Sequence, residues 1–370
     1  MFDMKNIGLY IHIPFCASKC PYCDFYSFRA DEKTRTKYAE AVIRELKAAK
    51  LKYNRKADTL YIGGGTPSVL GGELLCKIIE AARRDFNIDN STEITVEYNP
   101  HSLDNGIFEK LKSVGVNRIS LGLQSANDNE RKRLGRRADR EEIGVVIAEI
   151  KKAGIDNISL DVMLGIPDGT VDSLKSTLDF CISQNVTHIS GYILKIEENT
   201  PFYKLQDTLN LPDEDSVSDI YLFMCDYLKE HGFRQYEISN FAKSGFESRH
   251  NLKYWNCEEY LGIGAAAHSF MDSLRFYYQR NAEDFINGVS PVPDGEGGDF
   301  AEYAMLRLRL TDGLREADVK ERFGFSVPEK MREKAEKYEK LGLLVSDSKG
   351  IRLNEKGFLV SNSVISELIY

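Results

Sequence analysis

No apolar run in this chain approaches the roughly 18–20 residues that a membrane-spanning helix requires. The opening stretch, MFDMKNIGLYIHIPFC, pairs an acid and a lysine with a short alternating run, so no signal peptide is expected. A surplus of positive charge is also missing: 49 Lys+Arg face 57 Asp+Glu, a formal net charge of −8. That balance argues against nucleic acid as a partner and against general binding to anionic membranes. No basic amphipathic helix or lipidation motif marks a membrane anchor. Cysteines number 7, an odd count, which without an export signal predicts reduced thiols in the cytosol. Low-complexity tracts are absent, and tryptophan occurs once, at Trp255.

The composition that is present, 42% hydrophobic and 29% charged residues over 370, supports a large core under a solvated surface. The length predicts two domains, or one barrel with an appendage. Through the first two hundred residues, short β-branched runs alternate with stretches of helical period. IGLYIHIP, from Ile7, precedes an amphipathic segment from Glu32 to Leu51. TLYIGGG, from Thr59, precedes a helical pattern over Glu73–Asp85. EITVEYNP, RISLGLQ, NISLDVMLG and HISGYIL continue the rhythm. Repeated strand–helix alternation implies a parallel sheet with crossover helices, as an open sheet or a partial or full barrel. Gly63–Thr66, Glu97, Gln124 and Asp161 fall towards the C-terminal ends of successive strands, the edge where such folds bind ligands.

Beyond Ile196 the rhythm breaks. A helix is expected near Asp215–Glu230, then the strand-like QYEISNFA and the segment SRHNLKYWN. SPVPDGEGGD, residues 290–299, concentrates Pro, Gly and Asp and reads as a linker. It separates a barrel region with its extension, 1–289, from a C-terminal piece, 300–370. That piece follows a helix–helix–helix–hairpin order and is winged-helix-like. Its acids and bases nearly balance, which points away from DNA reading and towards packing or protein contacts.

Cys16, Cys20 and Cys23 stand in IPFCASKCPYCDFYS with C-x3-C-x2-C spacing, directly after the first strand. Three thiolates on one tight loop converge on a soft metal centre. Zinc is one alternative, although structural zinc normally draws a fourth ligand from a second paired motif. Cys76, Cys181, Cys225 and Cys257 are isolated and read as small buried hydrophobes. His12, His188 and His268, on or near apolar runs, read as structural.

The cysteine spacing resembles that of the radical S-adenosylmethionine (SAM) superfamily. YIHIPFC, GGGTP, VEYNP, LGLQS, LGR and DVMLGIP together resemble, in order and at matching intervals, the motifs of its coproporphyrinogen III oxidase-like branch. The resemblance implies a partial (β/α)6 TIM-like barrel with a C-terminal winged-helix-like domain. It implies a [4Fe–4S] cluster on Cys16, Cys20 and Cys23, and SAM held by Tyr10, Tyr22, Gly64, Gly65, Thr66, Glu97, Gln124, Arg136 and Asp161.

Two departures separate the chain from the oxidases of that branch. Their motif resembles C-x3-C-x2-C-x-C, whereas Phe25 occupies the last position here. They also carry a long segment before the cluster, for which Cys16 leaves little room. In turn HNLKYW, His250 to Trp255, matches the H-N-x-x-Y-W signature of heme chaperones in the same branch. A neutral imidazole is a good ligand for heme iron, and Tyr254 and Trp255 offer flat apolar surface. On the residues alone the favoured reading is that His250 and Asn251 cap a turn while Tyr254 and Trp255 fill core. The resemblance assigns His250 to heme iron. It implies heme and recipient hemoproteins as partners, including membrane-bound respiratory ones, with a homodimer and peripheral membrane contact as further expectations. The alternative it carries is oxygen-independent decarboxylation of coproporphyrinogen III, and with it a place in porphyrin biosynthesis.

Overall fold

A computed structural model describes residues 6–100 and 106–370; the first five residues of the opening stretch lie outside it. Six strands, β1 (Ile7–Ile13), β2 (Ala57–Gly64), β3 (Glu93–Tyr98), β4 (Arg118–Gln124), β5 (Asn157–Leu164) and β6 (His188–Ile193), pair in parallel in chain order. Helices Glu32–Tyr53, Gly72–Asp85, Arg140–Lys152 and Val171–Ser183 lie among the crossovers. Asp31 caps the first of these through the Thr34 amide at 2.8 Å, and Asp139 with Glu142 forms a capping box on the third. β1 and β6 are not paired with each other, so the barrel is partial.

Alternation along the strands gives this barrel two unlike faces. Leu9, Ile11, Leu60, Ile62, Ile119, Leu121, Ile158 and Leu160 are wholly buried beneath the helices. Each such side chain contributes about 1.5–3 kcal/mol by leaving water. Residues of the opposite parity line up in register as polar rows across the concave face. One row runs Tyr10, Tyr61, Thr95, Arg118, and the next includes Glu97, Ser120, Ser159 and His188. The barrel interior is therefore built to hold a polar ligand, with the main core on its outer side.

The segments after β6 extend both flanks. β7 (Arg234–Glu237) and β8 (Asn240–Ala242) form a hairpin antiparallel to β6. β9 (Tyr260–Ile263) joins β1 in parallel, followed by antiparallel β10 (His268–Met271), β11 (Leu274–Tyr277) and β12 (Val292–Glu296). β12 falls within the stretch read as a linker: it is an edge strand on β11, and an edge tolerates the prolines that made the segment look irregular.

Helix Phe300–Arg307, β13 (Leu314–Arg315), helices Glu316–Phe323 and Glu329–Lys340, then β14 (Leu344–Asp347) and β15 (Gly350–Leu353) follow the winged-helix order. Their sheet runs β13-β15-β14. Helices Glu355–Leu359 and Ser361–Ile369, which pattern reading did not separate, complete the piece. It is tied to the barrel by a Glu237–Leu310 bridge, by Arg307 on the Asn256 side chain and by Arg322 on the Cys257 carbonyl at 3.0 Å. No helix among the described residues is long and apolar enough to cross a membrane.

Candidate functional site

The loop after β1 is fixed at both ends. Cys16 N–H donates to the Phe28 carbonyl at 3.0 Å and Phe28 N–H to the Pro14 carbonyl at 2.9 Å. Phe15, fully buried, meets Phe28 and Tyr38 edge-on. Within the loop Cys23 N–H donates to the Cys20 carbonyl at 3.2 Å, and Phe202 N–H donates to the Pro21 carbonyl at 3.0 Å. Cys16, Cys20 and Cys23 are reduced and half-buried. Burial raises the Cys23 thiol, and its neighbours Cys20 and Cys16 add to the rise, as closely set thiols must. Among the described residues no three His, Cys, Asp or Glu side chains close around one ion. Three thiols on one loop, without a second paired motif, suit a cluster better than a single zinc.

The end of β2 wraps the other side of this loop. Gly65 N–H donates to the Ile13 carbonyl at 2.8 Å and Thr66 N–H to the Phe15 carbonyl at 2.7 Å. The Thr66 hydroxyl lies 3.5 Å from Cys16 Sγ. The glycines are required by this close approach. A Cβ on Gly65 would stand 2.7 Å from the Phe15 carbonyl oxygen, and one on Gly64, whose φ is +112°, would stand 2.5 Å from the His12 ring. Packing against β1 therefore demands small residues here, and it also leaves backbone exposed to a ligand.

Glu97 accepts from the Tyr61 hydroxyl at 2.8 Å and from Gly64 N–H at 3.1 Å. Burial pushes its carboxyl up to about 7, and nearby Asp161 adds to this against the Tyr61 bond and Arg118. Asp161 accepts from the Ser120 hydroxyl at 3.2 Å and is likewise raised by burial. Gln124 sits in the left-handed region, φ +63°, with its buried Oε1 unpartnered among the described residues. Arg136 stands beside Tyr22 and Cys20, and its Nε is also unpartnered there. Orphaned polar atoms of this kind await a ligand or water. One cavity of about 600 Å³ collects all three cysteines with Tyr22, Gly64, Gly65, Thr66, Glu97, Gln124, Arg136 and Asp161.

Tyr10 and His250 are not brought into it. Tyr10 lies deeper: its hydroxyl meets His12 Nδ1 at 3.0 Å and its ring packs against Tyr61 and His250. His250 is the second residue of helix Arg249–Trp255, whose first amides, Arg249 and His250, donate to Glu93 at 3.1 and 3.0 Å. Glu93 and Thr59 belong to the N-terminal ends of β3 and β2, away from the cysteine loop. The His250 ring is 1% exposed. Its Nδ1 lies 2.8 Å from the Thr59 hydroxyl and its Nε2 lies 2.8 Å from the Tyr254 hydroxyl. Burial lowers it to about 3, with Lys253 and Arg118 adding, so the ring is neutral at pH 7. The expectation that His250 meets heme iron thus encounters a ring with both nitrogens engaged. An iron bond would need Thr59 or Tyr254 to let go. Asn251 is the member of the motif that reaches the cavity.

Sequence reading missed Tyr61, Ser120, Ser190, Tyr192 and above all Arg118, all on the cavity wall. Arg118 is 2% exposed, and its Nε and Nη1 have no partner among the described residues. Polar residues at alternate positions, Arg118 and Ser120 in RISLGLQ, were the available signal. Of the other expectations, Cys181, Cys225 and Cys257 are buried while Cys76 is half-buried. His12 and His188 are buried, and His268 is exposed and stacked on Tyr277.

Comparison with known proteins adds to this geometry. The Radical SAM superfamily matches residues 10–181, and the HemN C-terminal domain matches residues 300–360. The heme chaperone HemW of Lactococcus lactis is 32% identical over 373 residues, covering 99% of this chain and 98% of that protein. That of Bacillus subtilis is 32% identical, covering 97% and 98%. That of Escherichia coli is 35% identical over 322 residues, covering 84% and 85%. Among solved structures, the coproporphyrinogen III oxidase HemN from Escherichia coli superposes with a TM-score of 0.84, covering 98% of this chain and 90% of its own, at 20% identity.

Proposed function

The chain belongs to the HemW family of radical SAM proteins, and we propose that it binds heme and passes it to hemoproteins. The observation carrying this reading is identity that runs from end to end with heme chaperones, through barrel and C-terminal piece alike. Likeness to the oxidase HemN, at 20% identity, extends to the fold alone. Phe25, where the oxidase motif carries a cysteine, favours the chaperone.

The family implies a [4Fe–4S] cluster and SAM, and the residues present fit both. Cys16, Cys20 and Cys23 are the cluster ligands, and three protein ligands leave one iron for a small molecule. When bound, the pair supplies a one-electron centre beside the barrel mouth. Gly64, Gly65 and Thr66 present backbone to the amino-acid end of SAM. Glu97 and Asp161 accept from hydroxyl or ammonium groups, while Gln124, Arg136 and Tyr22 close the remaining wall. Tyr10 positions Tyr61, which orients Glu97. Residues 1–289 and 300–370 form the two functional units, and recipients include membrane-bound hemoproteins.

Titration of the cluster-loaded protein with hemin, followed by addition of an apo-hemoprotein, tests the reading. Saturable uptake and release to the acceptor support it. Turnover of coproporphyrinogen III with no heme uptake would make the chain an enzyme instead.

A further inference from the structure

Gln124 and Arg136 reach the cavity from different segments, the end of β4 and the loop after helix Asp128–Arg133. Their side-chain heads nevertheless converge. A Cβ on Gly122 would stand 3.1 Å from Arg136 Nη2 and 3.2 Å from Gln124 Nε2. The strand is irregular at this point. β4 slips register against β5 between Gly122 and Gln124, and Gln124 has a φ of +63°. Left-handed backbone at such a residue persists only where its surroundings hold it.

One buried side chain supplies that hold. Arg131, 2% exposed, donates from Nη1 to the Leu123 carbonyl and to the Ser125 carbonyl at 3.2 Å, on either side of Gln124. Its Nε donates to the Ala138 carbonyl at 2.7 Å, just past Arg136, and its own carbonyl accepts from Arg136 N–H at 2.8 Å. The Ser125 hydroxyl donates to Glu130, and the Thr177 hydroxyl accepts from Ala126 N–H at 3.0 Å. Burial lowers the Arg131 guanidinium to about 10, with Arg136 adding, so it is charged at pH 7. Its side-chain acceptors among the described residues are all main-chain carbonyls. Keeping a cation buried on such partners costs stability that an apolar side chain would spare. What the guanidinium offers in return is a planar fork, able to bind several acceptors in fixed directions.

We propose that Arg131 is a positioning residue for SAM, its guanidinium locking the strand end that carries Gln124 to the loop that carries Arg136. The inference rests on the SAM pocket described under the proposed function and adds a residue that acts through two of its walls. The cysteine loop has ties of its own, Cys16 N–H to the Phe28 carbonyl and Phe28 N–H to the Pro14 carbonyl. The cluster should therefore form without Arg131.

Calorimetric titration of full-length, cluster-loaded protein with SAM tests this on Arg131→Met, Arg136→Met and the double variant. Circular dichroism verifies folding, and iron per chain verifies the cluster. Arg131→Met should keep its iron and lose about tenfold in SAM affinity. Added to Arg136→Met, the same change should cost less than about threefold, because one of the groups it positions is gone. Arg131→Lys, which keeps the charge without the planar fork, serves if the methionine variant does not fold. It should lose about threefold or more, and less beside Arg136→Met. Wild-type SAM affinity in the variant that folds, an equal loss in both backgrounds, or iron falling in step with SAM affinity would each overturn the positioning role. Failure of both variants to fold would overturn it as well, by assigning Arg131 to the fold as a whole. A wild type that holds its cluster but binds no SAM would overturn the pocket reading itself.

Discussion

The Nδ1 atom of His250 lies 2.8 Å from the Thr59 hydroxyl, in the wall of the barrel rather than at its mouth. Tyr254 takes the other ring nitrogen, and the ring stacks on Tyr61, whose hydroxyl holds Glu97. The HNLKYW helix therefore supports the cofactor pocket from beneath. It reaches Glu97 through one intervening tyrosine.

Loss of the His250 ring should accordingly appear first as lost stability. His250→Ala removes a buried, doubly bonded ring and should cost about 2–5 kcal/mol, whereas Thr59→Val, deleting one bond, should cost about 1–3 kcal/mol. Denaturant unfolding of the cofactor-free protein measures both. A His250→Ala protein of wild-type stability that no longer binds heme would instead make the ring an iron ligand.

Glu97 sets a pH dependence for SAM. Its folded pKa of about 7 lies above the ordinary 4.5, so its protonated form stabilises the empty protein. That contribution is complete below about 4.5 and is lost as pH rises through about 7. SAM groups that donate to the carboxylate need it ionised. SAM affinity should thus fall by up to about tenfold per pH unit below about 7, and Glu97→Gln should flatten the profile. Calorimetric titration between about pH 8 and about pH 6 reads this out.

Arg118 stands near the same carboxylate, and its Nε and Nη1 have no hydrogen-bond partner among the described residues. Replacing this buried, only partly hydrogen-bonded cation by Arg118→Met should leave the empty protein as stable or up to about 4 kcal/mol more stable. The same change removes a charge that lowers Glu97, so the pH midpoint for SAM binding should move upward. Unfolding curves and the titration above check the two halves separately.

Glycine is needed at 64 and 65 by the neighbours already present. Gly64→Ala meets both a φ of +112° and the His12 ring, and Gly65→Ala meets the Phe15 carbonyl. Each should cost about 1–3 kcal/mol and displace Thr66 from Cys16, with reduced iron per chain after reconstitution. Iron analysis beside unfolding measurements detects both effects.

Much of this site was legible in the sequence because its signals are local. Cys16, Cys20 and Cys23 share one loop, and Glu97, Gln124 and Asp161 lie on consecutive strands of regular rhythm. Arg118 was missed although period-2 alternation put it on the same face as Ser120, since a lone arginine early in a strand reads as an end charge. The surroundings of His250 were hidden for another reason. Its motif gives residue types, but whether the helix packs at the mouth or below depends on contacts with Thr59 and Glu93, some 190 and 157 positions away. The strand in the Pro-rich 292–296 stretch was hidden likewise, because its partner β11 supplies the order.

The central claim is that this chain carries heme. An anaerobic Soret titration of the cluster-loaded protein with hemin, followed by addition of an apo-hemoprotein, tests it most directly. The account predicts saturation at a single heme per chain, then movement of the Soret band to that of the acceptor. Absence of saturable binding would contradict it, and conversion of coproporphyrinogen to protoporphyrinogen by the same preparation would replace it.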